Sequence, residues 1–175
     1  MAEYLMVQIS DGAILRRTDS INEASNFPEE VPGKPWKWYP VVSDAQPAFN
    51  AQLEAITKVE TLEADQHHIT WTVARRPLIE QRAAVKGEAQ RRIVALTGKV
   101  ALIDCIIKQY NASMRATELN DKRISGGVLT AEEEAEATAL RNLAIAIKAI
   151  RAASDAVEIM TPIPLDYTAN IYWPA

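Results

Sequence analysis

Two segments in the second half of this chain carry residues at alternating steps of three and four, and that spacing restricts what they can become. Val100, Ile103, Ile107, Tyr110, Met114 and Thr117 form the first series; Leu140, Leu143, Ile147, Ile150, Ser154 and Val157 form the second. At about 3.6 residues per turn, each series falls on one narrow stripe of an α-helix, the arrangement of a bundle seam. Neither reaches the roughly three or four heptads of a self-sufficient coiled coil. The spacing therefore predicts a compact helical hairpin or bundle that associates around an oligomer axis. Its expected oligomer interface is Val100, Ile103, Ile107, Tyr110 and Met114 with Leu140, Leu143, Ile147 and Ile150.

The helix boundaries are marked locally. Pro77 suits a first helical position, where its missing N–H costs nothing. The segment after it is expected to carry Ile79, Val85, Ala89, Ile93 and Leu96 inward and Arg82, Lys86, Glu88 and Arg92 outward. Gly87 is either a point of close helix contact or exposed, where it costs roughly 1 kcal/mol relative to alanine, and Thr97-Gly98-Lys99 ends or kinks the segment. A second helix from about Val100 to Lys122 stops before Ser125-Gly126-Gly127. A third starts at Thr130-Ala131-Glu132-Glu133, which fits a capping box. Glu132, Glu133, Glu134 and Glu136 then lie at the positive end of the helix dipole, which explains the acidic cluster without a metal.

The first 76 residues read differently. Tyr4–Ile9 and Ala13–Arg17 flank Asp11-Gly12 as a hairpin, and residues 18–35 read as loop held in part by Phe27. In Trp36-Lys37-Trp38-Tyr39-Pro40-Val41-Val42 the alternation puts Trp36 and Trp38 on one face, and Pro40 suggests a strand edge or end. Those indoles either roof a small core or, with Trp71, offer a stacking platform for a carbohydrate. Pro47-Ala48-Phe49-Asn50 makes a turn. Ala55–Leu62 and His67–Ala74 form a second hairpin around Glu63-Ala64-Asp65-Gln66. His67 and His68 point to opposite faces of their strand and cannot chelate one metal together, so both are expected at the surface.

After Glu158, Pro162 and Pro164 favour an extended course. The segment holding Tyr167, Ile171, Tyr172, Trp173 and Pro174 is too apolar for a loose tail, and it either folds back along the helices or docks on another chain. The whole is an α+β chain: a β-rich docking module (1–76), a helical oligomerisation region (77–158) and an extended partner-binding tail (159–175).

Composition narrows function further. A net charge of -4 opposes nucleic-acid binding, which needs a concentrated basic surface. No signal peptide or membrane span is evident, so synthesis in a cytoplasm is expected. The one cysteine, Cys105, lies in an apolar run and reads as a small buried hydrophobe. No Ser-His-Asp order, Cys-His pair or phosphate-binding glycine loop is present, so neither an enzyme nor a cofactor is expected.

The series 88–96 (EAQRRIVAL) and 146–155 (AIKAIRAASD) with the closing Tyr172-Trp173-Pro174 resembles the C-terminal region of small tail proteins of tailed bacteriophages. It is also similar to the helical domain of tail-fibre-assembly proteins. Trp38-Tyr39-Pro40-Val41-Val42 followed by Pro47-Ala48-Phe49-Asn50 is similar to β modules of phage fibre-associated proteins. The resemblance implies a virion tail component at the fibres or baseplate, non-enzymatic, bound to other tail proteins and trimeric. A tail-fibre-assembly chaperone or fibre-tip cap is the alternative, and a carbohydrate-binding module a third.

Overall fold

The computed structural model describes residues 4–8, 10, 12–18 and 35–174. The predicted loop around Phe27, and Ile9 and Asp11 of the first hairpin, lie outside the described residues. The fold is α+β, and the chain divides between Arg76 and Pro77 into two compact units.

The first unit is a five-stranded sheet: β1 (Tyr4–Gln8), β2 (Ile14–Thr18), β3 (Trp36–Ser43), β4 (Glu54–Leu62) and β5 (His67–Arg75). Its spatial order is β2-β1-β3-β5-β4. The β1–β2 hairpin closes at Gly12, whose φ of +73° is open to glycine at no steric cost. The β4–β5 hairpin pairs over nine residues, from Glu54 with Arg75 to Leu62 with His67. Between the hairpins, β3 changes partner along its length. Trp36–Pro40 pairs antiparallel with β1, and Val41–Ser43 pairs parallel with β5. Pro40, expected in an edge strand or at a strand end, stands in the central strand but at the end of its ladder with β1, where the partner changes. A residue without an N–H is tolerated there because it ends one ladder before the next begins.

The register places Leu5, Val7, Tyr39, His67 and Ile69 on one face, and Arg17 and Glu60 from the two edge strands share it. Arg17 Nη2 lies 3.1 Å from Glu60 Oε2. A flat five-stranded sheet would hold its edges about 19 Å apart. The ion pair therefore requires the sheet to curl around this face, where Leu5, Val7, His67 and Ile69 are buried.

The second unit holds α1 (Leu78–Leu96), α2 (Leu102–Ile124), α3 (Ala131–Glu158) and a short 3-10 turn (Asn170–Tyr172). Pro77 is the residue before α1 rather than its first. Gly98, with φ +66°, follows the C-cap Thr97, and Lys99 N–H returns to the Val94 carbonyl, closing the helix. The capping box of α3 is present: Glu133 N–H donates to Thr130 Oγ1 at 3.2 Å, and Thr130 N–H to Glu133 Oε2 at 2.9 Å.

Several expectations for α1 are overturned. Ile79 and Leu96 are exposed, while Glu88 is buried with Gln81, Val85 and Ala89. The cause is the C-terminal segment, which covers the face assigned to solvent. Arg92 Nη2 donates to the Thr168 carbonyl at 2.8 Å, its guanidinium lies 5.0 Å from the Trp173 ring, and Glu88 accepts from Arg92 and Arg91 at 2.7 Å or less. Both arginines hold the Glu88 carboxyl below the usual carboxylate range, Arg91 most strongly. Gly87 meets no close neighbour; a Cβ there would project into open space.

Candidate functional site

The two matching stripes have opposite fates. In α3, Ile147, Ile150, Ser154 and Val157 are 8% exposed or less, and Leu140 and Leu143 are half-buried. In α2, Ile103, Ile107, Tyr110 and Met114 are between 49% and 64% exposed. Val100 lies before the helix begins and is fully exposed, so it does not continue the stripe. The nine residues grouped as one oligomer interface therefore separate. Ile147 and Ile150 belong to the unit's own core, and the α2 residues form an apolar ridge facing away from it.

The ridge faces outward because other contacts orient α2. Only Cys105 and Leu119 of its 23 residues are buried. With the half-buried Ala112 between them, they recur every seven residues on the side opposite the ridge. Small side chains thus allow α2 to approach the unit's core. Ion pairs then fix it to α3: Arg115 to Glu136 at 2.9 Å, Lys122 to Glu133 at 2.6 Å, and Arg123 to Glu134. The acidic start of α3 serves the helix dipole and also supplies these three partners. The signal was in the sequence as basic residues in the last turns of α2 facing an acidic first turn of α3.

A trough runs beside the ridge. Its first part, about 760 Å³, lies between α1 (Ala89, Ile93) and α2 (Leu102, Ile106), with Cys105 and Ser154 among its lining. The second, about 430 Å³, continues between Ala112 and Ala116 of α2 and Leu143 and Lys148 of α3. Gln109 and Arg151 line both. Cys105 is fully buried, with Gln109 Nε2 donating to its Sγ at 3.1 Å.

The C-terminal segment folds back on its own chain. Tyr167 and Trp173 are buried; Trp173 Nε1 donates to the Tyr167 carbonyl at 2.7 Å, and Tyr167 Oη to the Ala84 carbonyl at 3.5 Å. Their assignment to a partner is thereby corrected, since the aromatic surface is already covered within the unit. Tyr172 is half-buried and bonds Asp166; Ile171 and Pro174 remain exposed.

In the β unit the three indoles of the carbohydrate reading do not converge. Trp36 and Trp38 lie on one face of the sheet and Trp71 on the other, because Trp71 follows Ile69 by two residues. Trp38 is buried, and Trp71 Nε1 donates to the Asp44 carbonyl at 3.1 Å. Nor are the histidines free surface groups. His67 is buried, 3.4 Å from Glu60. His68 is clamped between Asp44 at 2.9 Å and Glu63 at 3.0 Å; these carboxylates, Asp44 first, raise its pKa above the usual value. Among the described residues no three His, Cys, Asp or Glu side chains gather as a metal site, and no helix is long and apolar enough to cross a membrane.

The chain matches no protein-family model, and comparison with curated proteins and with solved structures finds no match.

Proposed function

We propose that this chain is a non-enzymatic structural component of a bacteriophage tail, at the fibres or baseplate, that works by docking onto other subunits. The observation that carries the reading is the α2 ridge. A 23-residue helix with two buried residues leaves apolar surface in water, at a cost of about 25 cal/mol per Å², that association removes. The tail assignment draws on the resemblance of residues 88–96, 146–155 and 172–174 to small tail proteins. The β unit is read as a second docking module and the virion as the site of action.

Mass spectrometry of purified particles of a phage that encodes this chain tests the reading. Stoichiometric presence in the tail is the expected result. Absence from finished particles, with binding to fibre chains during infection, would instead favour the assembly chaperone.

A further inference from the structure

We infer that the partner of the α2 ridge is a second copy of this chain, related by a two-fold axis along the helices, with each ridge seated in the other copy's trough. This rests on the reading of α2 as an association surface and names its occupant. The first support is shape. Ridge and trough lie side by side on one face and extend over the same part of α2, roughly Leu102 to Ala116. A two-fold interface uses one patch twice, so a patch made of a ridge and a matching hollow complements itself. An axis along the helices exchanges ridge and trough. An axis across them sets ridge on ridge and leaves both hollows unfilled.

The second support is charge. The flank of the ridge away from the trough carries Asp104, Asn111 and Glu118, each a heptad from the next; Lys99 and Lys108 lie beside Asp104, and Glu118 also accepts from Arg115 Nη1 at 3.1 Å. On the α3 wall of the trough stand Lys148 and Arg151, and Arg141 continues that row a heptad before Lys148; Asp155 and Glu158 follow at the end of the wall next to α1, where Lys86 lies 3.5 Å from Glu158. The exchange lays the acidic flank of one copy along the basic row of the other. The supply is uneven within the chain: Arg115, Lys122 and Arg123 are engaged by α3 carboxylates, Arg115 by Glu118 as well, whereas Arg141, Lys148 and Arg151 hold no hydrogen bond or ion pair among the described residues. A threefold seam, the arrangement the phage resemblance implies, would set ridge against ridge. It would also bring three Asp121 carboxylates together, because Asp121 continues the ridge spacing past Thr117.

Cysteine cross-linking and light scattering of the full chain test the arrangement. Ile107→Cys chains mixed with Ala144→Cys chains should form a disulfide-linked dimer under mild oxidation, and neither variant alone should do so at a comparable rate. The buried native Cys105 leaves the parent chain uncross-linked. Reversing the basic row (Arg141→Glu, Lys148→Glu, Arg151→Glu) should weaken the dimer at least tenfold. Adding Asp104→Lys and Glu118→Lys to that variant should restore it, which separates loss of pairing from loss of folding. Ready self-cross-linking of Ile107→Cys, a trimeric mass, an unchanged dimer after charge reversal, or a monomer at about 100 µM would each overturn the inference. None of those results touches the tail assignment, which stands or falls on the content of the particle.

Discussion

Helices α2 and α3 carry the same three-four spacing and use it in opposite ways. In α3 the stripe is the floor of the unit, closed over by its neighbours; in α2 it is the outermost surface. Periodicity states which residues share a face and is silent about what that face meets. The difference lies in the rest of each helix. On α2, Cys105 and Ala112 on the far side allow close approach, and Arg115, Lys122 and Arg123 find carboxylates on α3, so the helix is held by its back. On α3 the outward positions include the exposed Arg141, Lys148 and Arg151.

The sharpest way to break this contrast is to remove equivalent apolar groups from each stripe. Ile150→Ala in α3 should destabilise the helical unit by about 2–4 kcal/mol, the cost of a cavity at a buried isoleucine. Ile107→Ser in α2 should change the stability of the unassociated chain by less than about 0.5 kcal/mol. Urea unfolding at concentrations where the chain is monomeric compares them; equal losses would mean that the α2 ridge is covered within its own unit.

A smaller effect is expected from the face of α1 that the C-terminal segment covers. Glu88→Gln removes a buried carboxylate from Arg91 and Arg92 and should cost about 1–3 kcal/mol. Because the Glu88 pKa is lowered in the fold, its contribution is present above the ordinary carboxylate value of about 4.3 and is lost as pH falls through the folded value. The variant should therefore lose less stability than the parent on acidification. A parallel fall in both would remove Glu88 from the account.

Local capping and surface pairing come next. Thr130→Ala breaks the α3 capping box and should cost about 1 kcal/mol by thermal unfolding. Arg115→Ala removes a solvent-accessible pair with Glu136 and should cost less, about 0.2–1 kcal/mol. A loss above about 2 kcal/mol at Arg115 would show that α2 depends on its ion pairs more than on Cys105 and Leu119.

The legible parts of this fold were those governed by local rules. The Thr130–Glu133 box, the glycine stop at Gly98 and the β4–β5 hairpin follow from residues within a few positions of one another, and each forms. Misreadings fell where a distant segment intervened. Glu88 and Arg92 look like a solvated helix face until residues 167–173 return to cover them, and Ile79 looks like core until that covering proves to lie elsewhere. Trp38 and Trp71 each sit correctly in an alternating strand, yet only the sheet order places them on opposite faces.

By itself the sequence determined the α+β class, the capped start of α3, the glycine stop of α1 and which helical residues share each apolar stripe apart from Val100, because hydrophobic period and backbone stereochemistry act over short stretches of chain. Only the tertiary structure decided which stripe is core and which is surface. Two equally apolar faces compete for one interior, and the outcome is set by small residues and opposite charges on the backs of the helices. That competition left the α2 ridge facing water, and the proposed function rests on it.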